Sequence, residues 1–207
     1  MSRAAQVEVL PVTPERWSDM VELFGDNGAQ SGCWCMWFRV PPKTWSANGN
    51  AGNRKAMLTR VAGGDVPGLL AYRDGKPVGW VSVAPRLDYE RIEGTGDKAW
   101  PAEGPVWSVV CFFMGPGERG QGVGTALLAA AVEHARRSGA KVLEAYPIER
   151  DGPSNAEAFT GVRSMYEKAG FRETGRFDRW AAVPLASGDE PKSLIRPPGR
   201  PVMRLEL

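Results

Sequence analysis

The stretch VWSVVCFFMGPGERGQGVGTALLAAAVEHARRSGAKVLEAYPI, Val106 to Ile148, decides the fold. It opens on Val106 to Met114, an unbroken β-branched and aromatic run that reads as a strand buried on both faces, hence central in a sheet. Four glycines follow between Gly117 and Gly124. The Ala/Leu-rich segment from Thr125 to Gly139 then carries a Leu128, Ala131, Val132, Ala135 stripe at helical spacing. Lys141 to Ile148 reads as a second strand. A strand, helix, strand crossover in the middle of the chain demands parallel or splayed neighbours. The turn Arg119-Gly120-Gln121-Gly122-Val123-Gly124-Thr125 joins a buried strand to a helix start. Glycine lets the backbone approach a ligand closely, and a helix N-terminus offers unpaired N–H groups and partial positive charge. Together with the cation of Arg119 these make a cradle for a diphosphate. The turn is not a Walker loop, which ends in Gly-Lys-Ser/Thr, nor the dinucleotide pattern G-x-G-x-x-G. It has the form Arg/Gln-x-x-Gly-x-Gly/Ala, at Arg119, Gly122 and Gly124.

Working outward, GLLAYRDGKPVGWVSVAPR (Gly68 to Arg86) holds two apolar runs about Asp74-Gly75, a hairpin. Upstream, Val7 to Thr13 alternates as a first strand. Thr13-Pro14 then opens a helix bearing Trp17, Met20, Val21 and Phe24. The aromatic block CWCMWF (Cys33 to Phe38) precedes Pro41-Pro42, and Asn53 to Val61 reads as a short helix. A long charged loop spans Leu87 to Gly104. Downstream, Ser154 to Gly170 reads as a last helix, with FRETGRF and RPVMRLEL as closing strands joined by a Pro-rich surface connection. The order predicts a mixed, twisted α/β sheet flanked by helices. One domain over 1–207 is expected, with acceptor-side helices at about 14–62, a core at about 68–171 and closing strands at about 171–207.

The 207 residues suffice for one domain with a full core. A net charge of +2 gives no field that would imply nucleic acid or membrane binding. No apolar run approaches the roughly 20 residues of a membrane span, and MSRAAQVEVL lacks the apolar core of a secretory signal. Three cysteines, two of them at Cys33 and Cys35, make no disulfide framework, so a reducing cytoplasm is the expected compartment. A Cys33-x-Cys35 pair with one distant histidine, His134, falls short of the about four ligands of a zinc site, so no metal is expected. His134 reads as a solvated helix residue, and Arg136-Arg137 as cations complementing the helix dipole.

With these pieces in order, the chain resembles the GNAT acetyltransferases, certainly from about Gly68 to Phe171. The late Tyr-x-x-x-Gly-Phe motif of that family stands here as Tyr166, Gly170 and Phe171. The block CWCMWF with APRLDY and CFFM is similar to a less characterised bacterial branch. The resemblance implies an acyl-CoA N-acyltransferase fold with acetyl-CoA as co-substrate. Gly120, Gln121, Gly122, Val123, Gly124 and Thr125, with Arg119, would hold its pyrophosphate. Phe112, Phe113 and Met114 would pair with its pantetheine arm. Many members carry an Asn seven residues before the Tyr. Phe159 stands there, and the nearest Asn is Asn155.

The implied reaction is direct acetyl transfer to a primary amine in a ternary complex. It needs a neutral amine, a polarised thioester carbonyl and a proton for the leaving thiolate. Tyr166 matches the family's general acid. A backbone N–H near Phe112 to Met114 would polarise the carbonyl, an interaction worth about 3 kcal/mol. Glu144, a charge inside an apolar strand, is the candidate base, with Glu103, Asp88 and Glu90 as competitors and a water-mediated route open. Trp34, Trp37 and Phe38 are expected on the acceptor side, where an aromatic wall would hold an apolar or cationic amine. The acceptor is expected to be a small molecule. A protein N-terminal or lysine acetyltransferase, and a non-catalytic acyl-CoA-binding module, are the alternatives. Family members are often dimers, which makes a homodimer the expected assembly if there is one.

Overall fold

A computed structural model describes residues 7–93, 104–148, 158–177 and 200–207. Seven strands form one sheet: β1 (Glu8–Pro11), β2 (Gly68–Arg73), β3 (Lys76–Pro85), β4 (Val106–Met114), β5 (Val142–Ala145), β6 (Arg172–Phe177) and β7 (Arg200–Glu206), in spatial order β1-β2-β3-β4-β5-β7-β6. β4 is therefore the middle strand, as its continuous apolar run predicts. Only β4 and β5 run parallel; every other pair is antiparallel. The parallel pair is the one joined through α4 (Val123–Arg137), as the crossover requires. The hairpin turns at Asp74-Gly75, both at positive φ.

Alternation along the strands divides the core. Leu69 and Ala71 of β2, with Val81 and Val83 of β3, face α4 and join Leu127, Leu128, Ala131, Tyr166 and Phe171. Leu70, Tyr72 and Trp80 face the other way, onto α1 (Trp17–Phe24) and α2 (Pro42–Ala62), and meet Met20, Phe24, Trp34, Met57 and Val61. A third cluster on this second face gathers Phe38, Ala84, Tyr89, Ile92, Val110, Tyr146 and Val202.

Three elements depart from the sequence expectation. α2 starts at Pro42, not near Asn53, and bends at Gly49 (φ 56°). Its first half, PKTWSANGNAGN, is poor in helix formers, so tertiary packing and Pro41-Pro42 set its start rather than propensity. The last helix is α5 (Arg163–Lys168), preceded by a 3-10 turn at Ala158–Thr160. Gly161, at φ 79°, separates the two, and a Cβ there would come within 2.8 Å of the Tyr166 ring and of Met165. The start of the expected helix, with Asn155, lies outside the described residues. Within the long loop the chain forms a 3-10 turn at Arg86–Asp88 and α3 (Glu90–Glu93); residues 94–103 lie outside the described residues.

Candidate active site

The site is set by where β4 and β5 part. Their pairing runs from Val106–Val142 to Val109–Ala145 and stops. β4 goes on to Met114 against β3, with a bulge opposite Ser82/Val83. Beyond Val109 its other edge pairs with no strand among the described residues. The backbone of Val110 to Met114 thus lines a fork. Tyr146-Pro147 ends β5 early, since proline gives no N–H to a ladder. Ile148 instead bridges to Val162.

The glycine turn sits where this strand meets α4. Gly117, Gly120 and Gly122 have φ of 79°, 74° and 79°, and a Cβ at any of them would meet nothing within 4 Å. The glycines are therefore needed for backbone conformation and leave open space above the turn. Gly122 is the N-cap of α4 and supplies no side-chain cap, so the first N–H groups of Val123, Gly124 and Thr125 have no intrahelical acceptor. Arg73, at the end of β2, forms an ion pair with Glu118 and reaches the Gln121 carbonyl at 3.5 Å, fixing the turn from below. Open glycines, unpaired N–H groups and a helix N-terminus fit a diphosphate. Phe112 and Met114 face the α4 side, and Phe113 the α1 side.

Tyr166 lies on the α4 side of the fork, fully buried against Phe112 and Phe171 (ring centroids 6.4 and 5.2 Å). Its hydroxyl donates to the Thr160 carbonyl at 2.9 Å. Burial, and then nearby Cys111, push its pKa well above the usual phenol range, so it keeps its proton.

Glu144 is not placed as a free base. It is 2% exposed. Its Oε1 is bound by Arg204 (Nη2 at 2.6 Å, Nε at 2.8 Å) and by Arg86 Nη1 at 3.3 Å. Its Oε2 accepts the Tyr146 hydroxyl at 2.8 Å. Register explains the clamp: Glu144 stands opposite Arg204 on β7 and Ser108 on β4. Of the competitors, Asp88 is paired with Arg39 and Arg60 at 3.3 and 3.4 Å, Glu90 is exposed, and Glu103 lies outside the described residues.

The aromatic block divides. Trp34, expected on the acceptor side, is packed among its own neighbours. It is 2% exposed, stacks on Trp17, donates from Nε1 to Asn50 at 2.6 Å and is approached by Arg54 at 5.4 Å. Trp37 is half-buried, with the Arg91 guanidinium 3.7 Å from its ring centroid and Trp45 at 87° beside it. Its cation–π capacity is thus already engaged from within the chain. Phe38 faces the fork, in one cluster with Tyr146 and Val110. Phe159, where many relatives carry Asn, sits 6.2 Å from its ring. The residues that sequence reading missed are Ser108, Tyr146, Arg86 and Arg204.

The three thiols are free. Cys35 Sγ lies 3.7 Å from Cys111 Sγ and accepts the Trp80 indole N–H at 3.0 Å. Burial, with Cys35 beside it, pushes the Cys33 thiol up to about 12. A hydrogen bond to Cys35 and burial raise Cys111 further. These sulfurs pack as small hydrophobes. Among the described residues no group of three potential metal ligands occurs, and no helix is long and apolar enough to cross a membrane. His134 is not solvated as expected: it is half-buried on α4, edge-on to Trp107 at 5.5 Å.

A mixed sheet whose central parallel pair splays beside a glycine turn defines an acyl-CoA N-acyltransferase. The acetyltransferase (GNAT) family model matches residues 34–171, well over half of the chain, and the chain belongs to that family as an acetyl-CoA-dependent enzyme. No curated protein matches its sequence. Similar solved structures include a ribosomal-protein-alanine N-acetyltransferase from Brucella melitensis (21% identity, 97% of this chain and 99% of that one, TM-score 0.55). Another is a polyamine N-acetyltransferase from Drosophila melanogaster that forms N-acetylagmatine (14% identity, 98% and 100%, TM-score 0.56). A third is the PaiA N-acetyltransferase from Thermoplasma acidophilum in complex with coenzyme A (12% identity, 98% and 99%, TM-score 0.50). At such identities the likeness is one of fold.

Proposed function

We propose that this chain transfers the acetyl group of acetyl-CoA directly to a primary amine of a small molecule, in a ternary complex. The observation that carries the reading is the fork itself: the open glycine turn is on one side and the aromatic cluster of Phe38, Tyr89, Tyr146 and Phe159 on the other. A thioester lying along Val110 to Met114 would meet backbone N–H donors that need no reorganisation, an interaction worth about 3 kcal/mol in the transition state. Arg119 and the backbone from Gly120 to Thr125 hold the pyrophosphate. Phe112, Phe113 and Met114 hold the pantetheine arm through their main chain. Tyr166, whose hydroxyl donates to the Thr160 carbonyl in the resting site, turns its proton to the departing thiolate.

The amine loses its proton to water, directly or through a chain of waters. Glu144 belongs to the supporting structure: both its oxygens are engaged, and it is sealed from solvent. A small acceptor is preferred because, among the described residues, the face of the fork opposite α4 is lined by packed aromatics. The fold alone does not decide this, since a polyamine and a ribosomal-protein acetyltransferase share it equally. The test is free-thiol release from acetyl-CoA with a panel of small amines, peptides with free N-termini and lysine peptides. Turnover confined to peptides would replace the small-molecule reading. Acetyl-CoA binding with no turnover of any amine would leave a non-catalytic binding module.

A further inference from the structure

Backbone pairing between β4 and β5 ends at Val109–Ala145, and Tyr146 is the first residue past that point. Its ring turns to the face opposite α4, among Phe38, Val110 and Val202. Its hydroxyl donates to Glu144 Oε2 at 2.8 Å and lies 2.9 Å from Ser108 Oγ. Since the one phenolic proton goes to Glu144, Ser108 must supply the proton of the second bond. The chain therefore runs in one direction, from Ser108 on β4 through Tyr146 to Glu144 on β5, and Glu144 ties on to Arg204 on β7. Ser108 and Tyr146 are fully buried. Three strands are laced by one polar row at the place where the main-chain lacing of β4 to β5 stops. Buried polar rows are costly unless every member is satisfied, and apolar residues of similar volume would pack there at no such cost. A row kept under those terms, beside the parallel pair of strands, has a geometric task.

We propose that Tyr146 is a positioning residue that pins the apex of the fork. The separation of β4 from β5 at Val109 and Ala145 fixes the direction in which Val110 to Met114 leaves the pair, and so where its N–H groups point. This rests on the fork being the acyl-transfer site. Tyr146 touches none of the reacting atoms; it acts through β4. Without its hydroxyl the apex loosens, and the N–H donors move relative to the thioester carbonyl. A misplacement of about 1 Å costs on the order of 10²-fold in rate. Binding of the pyrophosphate, made at the other end of β4, is untouched.

The test uses Tyr146→Phe, Ser108→Ala, the double variant and Ser108→Thr. Tyr146→Phe is expected to lower kcat by about 10- to 100-fold. KM for acetyl-CoA should stay within about twofold, because the lost interaction is one of geometry and not of ground-state binding. Ser108→Ala should fall in the same direction, and the double variant should be no worse than the weaker single, since both break one chain. Ser108→Thr keeps a hydroxyl and should recover most of the rate. Wild-type kcat in Tyr146→Phe, or additive losses with kcat and KM moving together, would overturn the pin in favour of ordinary packing. Amide hydrogen exchange supplies a second readout that needs no turnover. Val110 to Phe112 should exchange faster in Tyr146→Phe while Leu69 to Ala71 do not change. Unchanged protection at Val110 to Phe112 overturns the pin even if wild-type enzyme turns over no amine, an outcome that would separately refute the acyl-transfer reading.

Discussion

Raising the pH should unfold this protein in one steep step, driven by its tyrosines. The chain has four, and all are perturbed in the same direction. Tyr89, Tyr146 and Tyr166 are fully buried. Burial pushes Tyr89 up to about 12, against the nearby Arg39. Burial and Glu144 raise Tyr146, and burial raises Tyr166. Burial, with the hydrogen bond to Asp19, raises Tyr72 as well. A phenol whose folded pKa is raised holds its proton more tightly in the folded state. Its contribution is therefore complete below the unfolded pKa of about 10 and is lost as pH climbs toward the folded value. Each phenol still protonated in the folded state loses about 1.4 kcal/mol for every pH unit above about 10. Cys33 and Cys111 add to it with the same sign. A domain of this kind holds about 5–15 kcal/mol in total. Unfolding is therefore expected between about pH 11 and 12.5. The assay follows tyrosinate absorbance and far-ultraviolet circular dichroism on one titration. The two should move together, with no tyrosinate signal while the dichroism is native. Tyrosinate appearing near pH 10 in a folded protein would show that the phenols are not sealed.

Four further outcomes are expected. Tyr166→Phe should lower turnover on the order of 10²-fold with little change in acetyl-CoA affinity; wild-type turnover would make Tyr166 a structural aromatic only. Gly122→Val should weaken acetyl-CoA binding measured by calorimetry, while Gly122→Asn, which tolerates positive φ, should fold normally and separate backbone strain from obstruction of the ligand. Unchanged affinity in a folded Val variant would remove the turn from the cofactor site. Glu144→Gln should cost about 3–5 kcal/mol in denaturant unfolding, because Arg86 and Arg204 lose their buried counter-charge; a pH-dependent loss of activity at full stability would instead restore Glu144 as a base. Cys35 should resist alkylation in the native protein because it is buried, and Cys111 because its thiol is held well above its usual range by Cys35 and burial; fast native labelling of either would contradict this.

Much of the fold was legible because its signals are local. The nine-residue apolar run of β4 announces a central strand, Asp74-Gly75 a hairpin, and the glycine turn before TALLAAAVEHA a strand-to-helix junction. The glycine turn proposed for the cofactor was legible for the same reason: a turn that caps a helix is built from consecutive residues. α2 was only half legible, since Ser46 to Asn53 favours turns and is held helical by its packing. α5 was overextended because Gly161 reads as a tolerable helix glycine until its contact with Tyr166 is seen.

The acceptor side was not legible, and Glu144 shows why. A charge in an apolar strand signals that something unusual is present but leaves open whether the carboxylate is spent on a substrate or on its neighbours. The answer lies in the register of β5 against β4 and β7, which brings Arg204 and Ser108 level with it across strands far apart in sequence. One local signal did exist. Glu144 and Tyr146 are two residues apart on a buried strand, so they share a face. Ser108 is a lone hydroxyl in VWSVVCFFM, whose neighbours are all apolar. Buried polar groups require partners, and three such groups on two adjoining strands point to one another before any longer-range partner such as Arg204 is known. The aromatic block teaches the converse. Trp34 and Trp37 looked available because aromatic density suggests a ligand wall, yet Trp17 and Asn50 hold the one, and Arg91 and Trp45 the other. Of the three aromatics, Phe38 alone shares the cluster of Tyr146 and Val110 at the fork, beside Phe159, and those neighbours come from the crossover and the last helical region and not from the block that drew attention.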